Sequence, residues 1–214
     1  KAAIFTNFSQ DHLDYHKNMK SYLNKKLILF KKILKKNSSI VSDKTIKEFH
    51  ALKNIAASRG LKVTEISKII EKIKKISLNT SSEFKIKNLA MAIAATKLCN
   101  LKEKKIFKSL SKIKDTDGRM ELVRRFPNSV KIFIDYAHTP DALSKVLQSL
   151  EISYGKNISL VFGCGGDRDK KKRSLMGKVA NNYSRKIYVT DDNPRNEDPK
   201  KIRNEIIRSI NPNK

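Results

Sequence analysis

Cysteine is nearly missing from this 214-residue chain: there are two, Cys99 and Cys164, far apart and with no metal-ligand spacing around them. That argues against a disulfide framework and a cysteine-based zinc site, and it fits a reduced, cytoplasmic protein. Long apolar runs are missing too. None reaches the roughly 18 residues that a membrane span needs, and no charged-then-apolar leader is present, so no membrane insertion is expected. The common phosphate-loop signatures are missing: the chain contains no Gly-Lys-Ser/Thr and no GxGxxG, which excludes a Walker A loop and a dinucleotide fingerprint within it. Acidic residues are scarce, 21 Asp and Glu against 47 Lys and Arg. The chain starts at Lys1 rather than Met, which suggests a piece of a longer protein.

The resulting net charge of +26 and pI of about 10.1 raise one alternative, a basic module binding nucleic acid or an anionic surface. Such a module would bind with steep salt dependence. Several features speak against it. Only ten of the 47 basic residues are Arg, and Lys, Ile and Asn, all abundant here, share AT-rich codons. The lysines are spread through helical patterns, and aromatic residues rarely interleave with them as stacking platforms would require. The charge is therefore read as coding bias, with no specific nucleic-acid partner.

What is present has an α/β rhythm. Hydrophobic content is 39%, enough for one or two cores. Lys1–Phe8 reads as a strand, and Met19–Lys36 shows helical spacing of Met19, Tyr22, Leu23, Leu27, Phe30, Ile33 and Leu34. Residues 39–78 alternate short apolar runs with helices at Ile46–Ser58 and Glu65–Lys75, with Gly60 as a turn. Two helices follow, Lys87–Leu98 and Lys102–Lys112, with Cys99 read as a core residue. Asp115–Arg119 is a break in which Gly118 suits a positive φ, and the domain boundary is placed here, giving residues 1–118 and 119–214. Beyond it, strands at Val130–Asp135, Asn157–Phe162 and Lys186–Thr190 alternate with helices at Asp141–Glu151, Ser174–Tyr183 and Pro199–Ile210. That alternation predicts a parallel sheet.

All three later strands end in polar, ligand-like sequence, and ligands of open α/β sheets bind at the carboxyl ends of strands. These ends are Asp135-Tyr136-Ala137-His138, Gly163–Asp169 and Asp191–Arg195, and together they predict a pocket. In Asp192-Asn193-Pro194-Arg195, Pro194 stiffens the backbone and Arg195 offers a planar fork suited to a carboxylate. Taken alone, the stretch is more simply a proline turn with a solvated Arg, and its neighbours decide the matter. The Gly163–Asp169 loop can cradle a phosphate with its N–H groups. Alternatively, Arg168 projects beside Arg195 towards a carboxylate or phosphate, or pairs with Asp167 or Asp169. Asp11-His12-Leu13-Asp14-Tyr15-His16 is either a metal-binding cluster or a solvated turn, and its spacing leaves both open.

Taken together, Thr6–His16 (TNFSQDHLDYH), Asp117–Val123 (DGRMELV), Asp135–Leu143 (DYAHTPDAL), Val161–Gly177 (VFGCGGDRDKKKRSLMG) and Thr190–Pro199 (TDDNPRNEDP) resemble, in order, the motifs of the Mur ligases. The resemblance spans almost the whole chain, with nothing matched over residues 37–80. It implies part of a central ATPase domain followed by part of a Rossmann-like C-terminal domain. It also implies ATP-driven amide formation, in which ATP phosphorylates the D-glutamate carboxylate of UDP-N-acetylmuramoyl-L-alanyl-D-glutamate and an amino-acid amine attacks the acyl phosphate. Mg²⁺ and ATP are the implied cofactors.

Residue by residue, the resemblance makes His12 a Mg²⁺ ligand and Lys26 a carbamylated lysine supporting the same ion, although Lys25 stands where a small residue is usual. Asn88 falls on the adenine side, with Lys85 replacing the usual amide residue. Arg119 matches a phosphate contact and Asp135 a residue near the ribose, while His138 belongs to the structure of that loop. Arg168, Asp192, Asn193, Pro194 and Arg195 match a site for meso-2,6-diaminopimelate. This amino acid differs from lysine by one carboxylate, so an enzyme choosing it needs a cation there. Lysine-adding relatives lack the Arg of this motif, so Arg195 favours diaminopimelate over lysine, the other amine considered. The family's Gly-Lys-Thr loop would precede Lys1 and its Gly-Lys-Gly-His-Glu stretch would follow Lys214, so the chain alone is expected to be inactive.

Overall fold

The computed structural model describes residues 1–76, 82–114 and 116–214. Asp115 of the expected break and residues 77–78 of the 39–78 stretch lie outside them. The chain divides into two compact units, one of residues 1–8 with 20–113, the other of residues 9–19 with 114–214.

The first unit is built on strands β1 (Ala2–Phe5), β2 (Ser39–Ser42) and β3 (Lys62–Glu65), all parallel in the order β1-β2-β3. Parallel strands need crossover helices, and those helices cover both faces of the sheet. Every residue of β2 is accordingly buried. Because side chains alternate across a strand, Ile40 enters one core and Val41 the other. The Ile40 core is shared with α1 (Met19–Ile28) and α2 (Phe49–Arg59) through Leu27, Leu52 and Ile55. The Val41 core is shared with α3 (Ser67–Lys75), α4 (Glu83–Leu98) and α5 (Glu103–Ser109). In α3, Ile69 and Ile73 face inward at an i, i+4 spacing while the lysines face water. α1 continues into a π-helical turn at Leu29–Ile33, and α2 stops at Gly60, whose φ of 62° caps it in the left-handed conformation.

The second unit opens with an antiparallel pair, β4 (Glu121–Arg125) and β5 (Lys131–Ile134), with a register shift between Leu122 and Arg124. β4 has no counterpart among the predicted strands. α6 (Pro140–Tyr154) follows, capped by Thr139, whose hydroxyl accepts from the Ala142 N–H, with Pro140 in the first turn. β6 (Ser159–Phe162) and β7 (Lys186–Val189) pair in parallel, separated by α7 (Lys171–Tyr183), and α8 (Pro199–Ile207) completes the unit. The parallel pairing expected after residue 119 is thus found for β6 and β7, whereas β5 pairs with β4. Leu143, Leu147, Cys164, Met176, Ile202 and Ile206 form the core under the sheet.

Candidate active site

Strand ends expose backbone groups that turns and side chains must satisfy, and the loops after β6 and β7 satisfy each other. The Gly166 N–H donates to the Asn193 carbonyl at 2.8 Å. Arg195 Nη1 donates to the Gly166 carbonyl at 2.6 Å. The Asn196 N–H and its amide both donate to Asp167 Oδ2, at 3.1 and 3.0 Å. The approach is so close that a Cβ on Gly166 would lie 1.8 Å from the Pro194 carbonyl oxygen. Asp167 and Arg195 both take positive φ, 48° and 50°, strained for residues with a side chain. The loops after β6 and β7 are therefore in direct contact. Two surface hollows, of about 200 and 190 Å³, lie elsewhere, along α8 and beside Tyr183.

Arg195 is brought to this contact with Asp192, Asn193 and Pro194. One edge of its fork holds Gly166, and Nε and Nη2 carry no partner among the described residues. Arg168 pairs with neither Asp167 nor Asp169. Its Nη1 lies 3.5 Å from Asp14 of the 9–19 segment, while Asp169 accepts from Gln10 at 2.8 Å.

Beneath the two loops sits a residue that the sequence reading passed over. Arg173 of α7 is 1% exposed. Its guanidinium holds Glu197 through Nη2 at 2.7 Å and Nη1 at 3.0 Å, and Glu205 through Nη1 at 2.8 Å. Glu197 Oε1 also accepts from the Asp167 N–H at 2.6 Å. The Arg173 bonds hold the Glu197 carboxyl down at about 2; burial opposes them, and the Asp167 N–H and Lys170 add to them. The only local signal for this residue was an Arg within a basic helix start.

Asp11 occupies the centre of a second cluster. Its Oδ2 lies 3.3 Å from His12 Nε2 and 3.5 Å from His138 Nε2, and His138 Nδ1 lies 3.0 Å from the Tyr136 carbonyl. His12 takes a φ of 56°. This contact joins the expected metal stretch to the loop after β5. In that loop Asp135 accepts from the N–H groups of Met120 at 2.7 Å and Ala137 at 2.8 Å, and the Arg119 guanidinium lies 4.6 Å from the centre of the Tyr136 ring, a cation–π geometry. The Asp11–His16 side chains do not all converge, since Asp14 turns to Arg168 and His16 meets the Tyr15 ring edge-on. Among the described residues no group of three or more His, Cys, Asp or Glu is placed to hold a metal ion.

In the first unit, Lys26 of α1 donates to the Asn7 carbonyl at 3.3 Å and stands 5.3 Å from the centre of the Tyr22 ring. Asn88 is exposed on α4. Its neighbour Lys87 reaches Asp43 Oδ2 at 3.0 Å. Asp43 is a 2%-exposed carboxylate at the carboxyl end of β2; burial raises its pKa, but the Thr45 N–H and Lys87 outweigh this, so the net shift is down. An apolar run ending in Asp was the available sign of it. The reading of Cys99 as a core residue changes. Cys99 is an exposed cap of α4. Cys164 is buried against Met176 Sδ, and burial pushes its thiol up to about 11, which opposes thiolate reactivity.

Comparison with known proteins places these sites in context. Residues 1–68 match the Mur ligase middle domain, and residues 118–213 match the Mur ligase, glutamate ligase domain. Similar curated relatives are UDP-N-acetylmuramoyl-L-alanyl-D-glutamate–2,6-diaminopimelate ligases. That of Rickettsia bellii is 42% identical over 231 residues, covering 97% of this chain and 48% of the relative. That of Wigglesworthia glossinidia brevipalpis is 39% identical over 245 residues, covering 98% and 48%. The chain thus spans about half the length of the curated relatives it matches. A solved structure of a ligase of the same name is 27% identical with a TM-score of 0.53, covering 99% of this chain and 48% of that one. A Mycobacterium tuberculosis folylpolyglutamate synthase complexed with ADP shares the fold, with a TM-score of 0.74 at 16% identity, covering 97% and 51%. No helix among the described residues is long and apolar enough to cross a membrane.

Proposed function

We propose, on the premise that this chain belongs to the Mur ligase family, that it supplies the ATP-binding and amino-acid-binding parts of a ligase. That ligase joins meso-2,6-diaminopimelate to UDP-N-acetylmuramoyl-L-alanyl-D-glutamate at the expense of ATP. The observation that carries this reading is Arg195: one edge of its guanidinium is pinned to the Gly166 carbonyl while Nε and Nη2 remain for a ligand. A guanidinium oriented in advance suits the distal carboxylate that distinguishes diaminopimelate from lysine. Asn193 would hydrogen-bond the same end, Asp192 would accept from its ammonium, and Pro194 would keep the turn rigid. Arg168 would add a second cation once it releases Asp14.

ATP would be met by Asn88 on its adenine side, Arg119 at phosphate and Asp135 near the ribose. Asp135 spends its carboxylate on the Met120 and Ala137 N–H groups, so its part would be to shape the loop that presents Arg119. His12 and Lys26, the latter as a carbamate, would hold Mg²⁺. The carbamate would supply an oxygen ligand of the kind Mg²⁺ prefers, with phosphate oxygens and water at other positions. Mg²⁺ would neutralise charge on the transferred phosphoryl group. Lys26 as an ammonium donates to Asn7 and cannot ligate a cation, so the role requires carbamylation. Residues 1–118 would form the central-domain part and 119–214 the amino-acid-binding part. ATP and a nucleotide-linked substrate place the work in the cytoplasm.

The test uses the gene extended in both directions to the relatives' full length, with phosphate release measured on the UDP-dipeptide plus diaminopimelate or lysine. Diaminopimelate is expected to be preferred, and Arg195→Ala to lower its kcat/KM by about a hundredfold, the worth of a charge-assisted hydrogen bond. Preference for lysine, or an undiminished preference for diaminopimelate in Arg195→Ala, overturns the assignment.

A further inference from the structure

A fully buried guanidinium is a costly way to fill space. Burying an ion pair is often no better for stability than burying apolar side chains of the same size, and Arg173 leaves its Nε without a partner as well. What the guanidinium does achieve is a three-way tie. Its Nη atoms grip both oxygens of Glu197 in the loop after β7, reach the Gly165 carbonyl in the loop after β6 at 3.4 Å, and bond Glu205 on α8. Glu197 completes the tie by accepting from the Asp167 N–H. Two residues before Glu197 stands Arg195, whose backbone and side chain depend on the same contact between loops.

We propose that Arg173 is a positioning residue of the amino-acid site: acting through Glu197, it sets the Asp192–Arg195 turn against the Gly163–Asp169 loop and so aims the Arg195 fork at the distal carboxylate of the incoming diamino acid. The inference rests on the reading of Arg195 given above and adds the device that holds it. Lysine cannot replace Arg173, because only the planar fork can span both oxygens of Glu197 while reaching Gly165 and Glu205. Glu197 is likewise irreplaceable by Gln, which keeps the size but offers one acceptor in place of two.

The experiment uses the extended, full-length protein and measures KM separately for diaminopimelate, ATP and the UDP-dipeptide, alongside thermal unfolding. Arg173→Lys and Glu197→Gln are each expected to raise KM for diaminopimelate by about tenfold to a hundredfold, the scale of a displaced binding group. KM for ATP and for the dipeptide should stay within about twofold, and the double variant should be no worse than the poorer single one, because the two residues act as one unit. A purely structural role would lower the unfolding temperature and the amount of active enzyme while leaving every KM unchanged. That result, or a parallel rise in all three KM values, overturns the proposal. If Arg173→Lys does not fold, Glu197→Gln decides on the same readout. Failure of the function itself is distinguishable, since a parent enzyme that does not use diaminopimelate refutes the ligase reading, whereas one that uses it with unmoved KM values in both variants refutes only the role of Arg173.

Discussion

Two clusters within the second unit carry opposite physics. Where the loops after β6 and β7 meet, backbone bonds backbone, a guanidinium is 1% exposed, and a single Cβ would not fit at Gly166. Where Asp11 faces His12 and His138, the ties are carboxylate–imidazole contacts between side chains, and the two imidazoles are more than half exposed. Exposed pairs of that kind contribute little and are easily exchanged for water or ligand. The first region is thus held by fixed contacts, which fits its proposed part in recognising one amino acid over another. The second is held by exposed side-chain contacts, which fits its proposed part near phosphate and a cation.

Breaking the first region should have the largest effect. Gly166→Ala puts a methyl group into the Pro194 carbonyl, and the backbone must separate to admit it. Denaturant unfolding of the extended protein should show a loss of about 3 kcal/mol, the upper part of the range for overpacking. An unchanged midpoint would mean the two loops are not in fixed contact.

A smaller effect, with a distinctive pH signature, is expected at Glu197. Its carboxyl is held at about 2, down from the usual 4.5. A carboxylate depressed in the folded state adds stability above its unfolded pKa and loses it as pH falls through the folded one. The parent should therefore exceed Glu197→Gln in stability at neutral pH by a constant margin that shrinks from about pH 4.5 towards 2. A margin independent of pH across that window would show that Arg173 does not depress this group.

The smallest effect belongs to the second region. Asp11→Asn removes the carboxylate charge that faces both imidazoles, yet stability should change by less than about 0.5 kcal/mol at neutral pH. A loss several times larger would make this cluster as rigid as the loop pair and remove the contrast between them.

Much of this was legible beforehand in particular residues. The run Lys186–Thr190 announced a strand, and β7 stands there. The Ile69 and Ile73 face of α3 was visible as periodicity. Other features escaped for identifiable reasons. The segment 9–19 packs with the second unit although a hundred residues separate them. β4, in Glu121–Arg125, is too charged to announce itself and exists through its pairing with β5. Cys99 sat on an apolar helical pattern whose last turn runs out into solvent.

By itself the amino-acid sequence determined most of the elements and their order, the strand-end motifs and the family, because periodicity, turn chemistry and motif spacing are local properties of the chain. Only the tertiary structure decided that the loops after β6 and β7 are in direct contact, that Arg168 turns to Asp14, and that Arg173 ties those loops to α8. The partners of Arg173 lie 24 and 32 residues away. Choosing them depends on which loops the packed sheet and helices bring within hydrogen-bonding distance, and no local pattern specifies that.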